Sequence, residues 1–390
     1  MKRREFLAVA AAASASFSIP RVFAAPHTSG GISSQPSSRL DAGATVGDTA
    51  GKLLILIELK GGNDGLNTVV PFADSTYYAL RRHIAIPRER VLPLDAHTAL
   101  HPALHPLMSS WRDGQLAVVQ GVGCSHAHAS HFRSAEIWET GSCANVYRRD
   151  GWLSRMVGQW ATMGQSVVTA SFGSAEAGPF ASAATRSASD NAWKRVDDPD
   201  AASYADEADA DISGPVTNAR LDSLAGAPTF RDSIEAALRT IFDDARPHAT
   251  GAIRLTLDGF DTHSNQPMRH ATLLNQLADG CATLRAELMR RGRWRDALIV
   301  TYSEFGRSVQ ENTDRGTEHG GASAHFLMGG AVQGGLYGRA PDLTRLDDNG
   351  NLPVAVDFRQ LYATVLGPFL KLDVKAVLHD DIQPLPLLRA

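Results

Sequence analysis

The stretch Lys52–Leu59, KLLILIEL, with the turn Lys60-Gly61-Gly62-Asn63-Asp64-Gly65 behind it, sets the frame of the fold. An unbroken apolar run ended by paired glycines predicts a fully buried central strand whose last residues lie at the rim of a sheet. Ligands of open α/β sheets collect outside the carboxyl ends of the strands, so Asp64 is a candidate metal ligand or general base. Three further apolar runs repeat the pattern. Asp261 and His263 follow Ala252–Leu257, Glu304 follows Ala297–Tyr302, and Ser130 lies on a loop beyond Leu116–Gly121. Taken singly, each of these residues is equally well explained as a turn or helix-cap residue.

The first residues are expected to be an export signal rather than part of the fold. Lys2-Arg3-Arg4-Glu5-Phe6-Leu7 is a twin-arginine pattern, the apolar stretch Phe6–Ile19 follows, and small residues near Ala24 or Ala25 suit cleavage. The apolar run is too short and too rich in Ala and Ser for a stable membrane span. Residues 1–25 are thus expected as the signal, with the twin-arginine export machinery as a partner and a periplasmic or otherwise exported destination. Residues 26–51 are rich in Gly, Ser and Thr and read as a flexible linker. Residues 52–390 are expected to form one α/β domain.

A net charge of −4 leaves no basic footprint for nucleic acid or an anionic membrane. Three cysteines, Cys124, Cys143 and Cys281, are too few for a disulfide scaffold and lack Cys-x-x-Cys spacing, which argues against a thiolate zinc site. One pair, Cys124 with Cys143, suits a bridge in an oxidising compartment.

Along the chain, Ser75–His83, Gly151–Met163, Phe230–Asp244 and Met268–Arg291 read as helices, and Val167–Ser171 as a short strand. His101–Pro106 reads as a turn entering a helix, and Val354–Phe369 as a closing helix capped by Asp357. From about Ser174 to Ala227 the composition shifts to Ala, Ser, Asp and Gly, which reads as an insertion outside the core. The histidine-rich run Cys124–His131, with His126 and His128, leads into a helical segment, His131–Thr140. Ser130 at its start suits an N-cap, and it also suits a nucleophile, because free backbone N–H groups and the helix dipole favour an anion there. Arg133 adds a cation shaped for a phosphate or sulfate.

Asp64, Asp261, His263, Glu304 and His319 give oxygen and nitrogen donors without sulfur, a set that suits zinc, manganese, magnesium or calcium. A hydrolytic site uses such an ion to neutralise a phosphoryl or sulfuryl oxygen and to activate a serine or water. The spacing is long-range and carries no local metal signature.

The sequence resembles the bacterial family known as domain of unknown function 1501, exported by the twin-arginine route and placed in the alkaline phosphatase/sulfatase superfamily. The matching pieces are Leu59–Asn67, Ser130-His131-Phe132 with Trp138-Glu139-Thr140-Gly141, Phe260–His263, Ser303–Arg307 and Glu318-His319-Gly320. The resemblance implies a doubly wound, mixed and mostly parallel α/β sheet flanked by helices, alkaline phosphatase-like, with two neighbouring metal positions. It implies Asp64, Asp261, His263, Glu304 and His319 as ligands and Ser130 as nucleophile. Phe305 stands where that superfamily has a His or Asn ligand, and the Asp261 to His263 interval is short, with Asn265 or His270 as substitutes. A single or weaker ion follows from fewer ligands.

The expected function is an exported metal-dependent hydrolase of a phosphate or sulfate ester, small or polymeric. Ser130 attacks, Arg133, Asn63 or Lys60 clamps the transferred group, and a divalent ion, zinc, manganese or calcium, assists. The alternative is a non-catalytic binding protein of the same fold with a degenerate metal site.

Overall fold

Leu53–Lys60 forms strand β1, and its apolar side chains are buried on both faces. Continuous burial is what an unbroken apolar run requires, and it puts β1 inside the sheet with helices over either side. The computed structural model describes residues 51–125, 130–164, 167–182, 228–243 and 250–389. The expected signal, the linker up to residue 50, His126, His128 and residues 183–227 of the expected insertion lie outside the described residues.

The strands after β1 are β2 (Val69–Val70), β3 (Leu92–Pro93), β4 (Ala99–Leu100), β5 (Leu116–Gly123), β6 (Val167–Phe172) and β7 (Thr250–Asp258). Then come β8 (Ala297–Tyr302), β9 (Gly306–Arg307), β10 (His319–Gly320), β11 (Ser323–Met328), β12 (Gly335–Gly338) and β13 (Val356–Asp357). The main sheet runs β12-β5-β11-β8-β1-β7-β6, with β13 also beside β5. β1 pairs in parallel with β7 and β8, Leu53 standing opposite Gly251 and Ala297. β6, β12 and β13 are likewise parallel to their neighbours, and β11 is antiparallel to β5 and β8. The sheet is therefore mixed and mostly parallel. The carboxyl ends of β1, β5, β7 and β8 and the start of β11 share one rim.

The helices are α1 (Gly65–Thr68), α2 (Ser75–Leu80), α3 (Met108–Arg112), α4 (His131–Thr140) and α5 (Trp152–Thr162). They continue with α6 (Phe230–Ile241), α7 (Gln266–Arg290), α8 (Arg359–Thr364) and α9 (Val374–Leu378). Leu53, Ile55, Ile57 and Leu59 of β1 face one layer, where α6 and α7 contribute Ile234, Leu274, Leu277 and Leu284. Leu54 and Leu56 face the other, where α4, α5 and α8 contribute Trp138, Trp152 and Tyr362. The two-residue period of β1 also turns Glu58 into that second layer. Its Oε2 accepts from Arg254 Nη2 at 2.6 Å and Thr256 Oγ1 at 2.9 Å, so the buried charge is paired and hydrogen-bonded.

Two expectations are corrected at the carboxyl end and among the cysteines. Val356–Asp357 is a strand rather than helix, because it pairs with β5, and the helix begins at Arg359, whose N–H is accepted by Asp357 at 2.9 Å. Cys124, Cys143 and Cys281 are free thiols, and Cys143 Sγ lies 2.7 Å from Arg359 Nη1. No helix of the described residues is long and apolar enough to cross a membrane.

Two fully buried histidines give the fold an acid-sensitive edge. Burial pushes His270 down to about 4, against the attraction of Asp64, and His325 down to about 3. Both stay neutral in the native state while the unfolded chain protonates near pH 6.5. As pH falls from about 6.5 towards 4 the unfolded state binds the extra protons, so stability drops by roughly 1.4 kcal/mol per pH unit for each histidine. Neither nitrogen of His325 has a hydrogen-bond partner among the described residues. His325→Phe is therefore expected to flatten the pH dependence by one proton, so that its loss of stability between pH 7 and 5 is about 2 kcal/mol smaller than that of the wild type, read from denaturant unfolding at the two pH values.

Candidate metal centre

Gly61 and Gly62 let three strand ends meet. Gly61 has φ +112°, and a Cβ on it would run into the backbone of Asp261. Gly62 has φ +83°, and a Cβ there would run into the Phe305 ring. With both side chains absent, the Gly61 N–H donates to Glu304 Oε1 at 2.8 Å, and the Phe260 N–H donates to the Lys60 carbonyl at 3.0 Å. Ser303 Oγ bridges the loops, donating to the Leu59 carbonyl at 2.7 Å and accepting from the Asn63 N–H at 2.8 Å.

Onto this rim converge His131 from the start of α4, Asp261 and His263 from the loop after β7, Glu304 from the loop after β8, and His319 from β10. One ligand atom from each of His131, Asp261 and His319 lies within 4.8 Å of the others. His131 Nε2 is 3.6 Å from Asp261 Oδ2, and its Nδ1 is 3.2 Å from Glu304 Oε1. His263 Nε2 stands 3.0 Å from both His319 Nε2 and Asp261 Oδ1. His263 Nδ1 faces Glu318 Oε2 at 2.9 Å.

Two features mark the group as fit for a cation. His263 Nε2 and His319 Nε2, 3.0 Å apart, can hold only one proton between them, so at least one of the two is a nitrogen donor. Glu304 Oε2 is buried without a hydrogen-bond partner among the described residues, an acceptor that otherwise carries a desolvation cost. Two imidazoles and carboxylate oxygens form a donor set suited to zinc or manganese.

The electrostatics agree. Burial opposes ionisation of Asp261, but hydrogen bonds from His131, His263, His319 and Arg307 hold its carboxyl far below the usual carboxylate range. Burial likewise opposes a charge on His131, and Asp261 and Glu304 overcome it and push that imidazole up to about 9. The hydrogen bond to Asp261 raises His263 as well. Without an ion the cluster offsets its negative charge by favouring protons on His131 and His263.

The remaining expected residues sit as follows. Asp64 is buried and fully engaged. Its Oδ1 accepts from the Leu66 and Asn67 N–H groups at 3.1 and 3.3 Å, capping α1, and its Oδ2 accepts from Arg81 at 2.6 Å and Gln266 at 2.5 Å. Burial opposes its charge, and the Arg81 guanidinium holds it below the usual range. The structure does not bring it into the group around Asp261. Asn63 is also buried, with Oδ1 2.9 Å from His270 Nε2 and accepting from Thr68 Oγ1 at 3.1 Å. Arg133 donates to the carbonyls of Ala144 and Val146 at 2.7 and 3.0 Å and stacks 3.8 Å from the Tyr147 ring, so it braces the loop after α4. Lys60 pairs with Glu176 at 2.8 Å. Ser130 is exposed at the N-cap of α4, and its hydroxyl makes no capping hydrogen bond.

His131 and Arg307 were given no role by sequence reasoning. His131 stood at the end of a histidine-rich run, which was the available signal, but its contacts come from residues more than a hundred positions away. Arg307 is buried among carbonyls that no spacing announces.

Zinc or manganese at about 100 Kd is expected to stabilise the chelator-stripped protein by about 2.7 kcal/mol, read as a rise in Tm. His131→Ala and Asp261→Asn should abolish that rise. Asp64→Ala should lower the baseline stability by about 3–5 kcal/mol, because it strands the Arg81 charge, while leaving the metal-induced rise in place. Loss of the rise in Asp64→Ala, with retention in His131→Ala, would place the ion elsewhere.

No curated protein sequence matches the chain. Among solved structures the chain is similar to the lipoteichoic acid synthase LtaP from Listeria monocytogenes, with a TM-score of 0.41 and 9% identity over 86% of this chain and 76% of that one. It is similar to the C-terminal periplasmic domain of EcEptC from Escherichia coli in complex with Zn, at TM-score 0.38 and 12% identity, covering 73% of this chain and 74% of that one. An alkaline phosphatase from the Antarctic bacterium TAB5 gives a TM-score of 0.36 and 10% identity over 74% of this chain and 95% of the other. The sequence profile of the family described as "Protein of unknown function (DUF1501)" matches residues 248–380, a span that contains Asp261, His263, Glu304, Arg307 and His319 and leaves out His131.

Proposed function

We propose that this protein is an exported, metal-dependent hydrolase of a phosphate or sulfate ester. The observation that carries the reading is the convergence of His131, Asp261 and His319 at the amino end of α4, whose N-cap is Ser130. His131, Asp261 and His319 would hold the ion, with Glu304 beside His131 Nδ1 orienting that imidazole. When bound, a divalent ion there supplies charge neutralisation at an ester oxygen and eases loss of a proton from a nearby hydroxyl.

The chain's own residues do the rest. Ser130 Oγ is exposed and unspent on capping, so it is available to attack phosphorus or sulfur while the bond to the leaving oxygen breaks, its proton passing to that oxygen through solvent, and water then cleaves the seryl ester to restore the serine. The amino end of the α4 dipole favours the negative charge brought by the transferred group. His263 does not need to touch substrate in this scheme. With Nδ1 on Glu318 and Nε2 on Asp261, it orients the carboxylate. The twin-arginine pattern at Arg3-Arg4 supports export.

The test is turnover of p-nitrophenyl phosphate and p-nitrophenyl sulfate by the mature protein reloaded with zinc or manganese. Ser130→Ala is expected to lower kcat by at least about a thousandfold, and chelation to abolish turnover. Equal activity in wild type and Ser130→Ala removes the serine from its role. Metal uptake with no turnover of either ester favours the alternative, a binding protein of the same fold, to which the Phe305 ring packed against His131 and His319 is also suited.

A further inference from the structure

We infer that this centre holds one divalent ion and no second, because the guanidinium of Arg307 fills the oxygen cradle beside it. The inference rests on the metal reading above and goes beyond it by fixing the number of ions. The Arg307 side chain is wholly buried. Its Nε donates to the Gly62 carbonyl at 2.8 Å, Nη1 to the Thr317 carbonyl at 3.0 Å, and Nη2 to the Phe260 carbonyl at 3.1 Å. Nη2 also donates to the Gly61 carbonyl and to Asp261 Oδ1. Four carbonyls and a carboxylate oxygen ring the guanidinium, an all-oxygen surround whose donor type is the one that hard cations such as calcium prefer. Here a permanently charged, planar cation takes it.

The charge balance limits the site in the same way. Asp261 and Glu304 bring two negative charges and Arg307 returns one positive charge to the same rim. One dication then leaves the group with a single positive charge, which an anionic ester offsets. A second would add to the excess of positive charge beside the buried Arg307 guanidinium. Phe305 closes the other side. Its ring centroid is 4.5 Å from that of His319 and 4.8 Å from that of His131, and 5.9 Å from Arg307 Cζ, so a hydrocarbon face stands where further ligands would be needed. Arg307 is a positioning residue in this account. It fixes Asp261 and shuts the neighbouring cradle, and it touches no substrate.

The experiment is ion counting on the purified mature protein, stripped with chelator and titrated calorimetrically with zinc, then checked by elemental analysis after desalting. Wild type should take one equivalent of zinc and show no further binding of calcium at millimolar concentration. Two equivalents overturn this inference and leave the metal reading standing, whereas none overturns the metal reading and this one with it. Arg307→Ala opens the cradle and should add one equivalent of calcium, while Arg307→Lys, which restores a cation, should return to zinc alone. A folded Arg307→Ala protein, judged by circular dichroism, that binds no calcium overturns the role given to the arginine. If that variant does not fold, the wild-type count decides.

Discussion

The buried guanidinium of Arg307 is the interaction on which the rim of the sheet depends. It ties the turn after β1, through Gly61 and Gly62, to the loop after β7, through Phe260 and Asp261, and to the approach to β10, through Thr317. These segments come from distant parts of the chain and have no regular ladder between them. Backbone carbonyls left unpaired in such a place carry a high cost, and one residue with five donors satisfies them together. The same side chain sets the direction of the Asp261 carboxylate, and through Asp261 the three histidines take their places.

Two other buried pairs support this arrangement from beneath. Arg81 and Asp64 hold the loop that leaves β1, with Gln266 at the start of α7 as a third partner. Glu58 and Arg254 cross-link β1 and β7 two residues before the rim. A buried ion pair adds little net stability over a well-packed apolar one, but losing a single partner is expensive, so such pairs restrict the chain to one arrangement. Asp64 therefore shapes the rim through its hydrogen bonds. Its position after the first strand is the one a ligand would have, and its surroundings give its oxygens other work.

The apolar runs were legible because the pattern that drives burial is local. KLLILIEL, Ala297–Tyr302 and Leu116–Gly121 became β1, β8 and β5 within a residue or two, and the helix read over Met268–Arg291 became Gln266–Arg290. The closing segment was misread because a short pairing with β5 overrode a helical pattern at Val356–Asp357. At the rim, sequence identified acids and imidazoles by type and by place relative to strand ends. It could not tell Asp64 from Asp261, since each follows a strand and a glycine, and the difference is Arg81 for one and a ring of histidines for the other.

The sequence by itself determined the buried strands and the polar residues that follow them, because strand burial and the glycines after β1 follow from neighbours a few positions apart, while the mixed, mostly parallel sheet was what the family resemblance implied. Only the tertiary structure decided which of those residues share a site. It brought His131 in beside Asp261 and Glu304, engaged Asp64 and Arg133 elsewhere, and set Arg307 among carbonyls. Those choices depend on which atoms meet across the ends of separate strands, and hydrogen bonds and ion pairs act over a few ångströms, a distance that spacing along the chain does not encode.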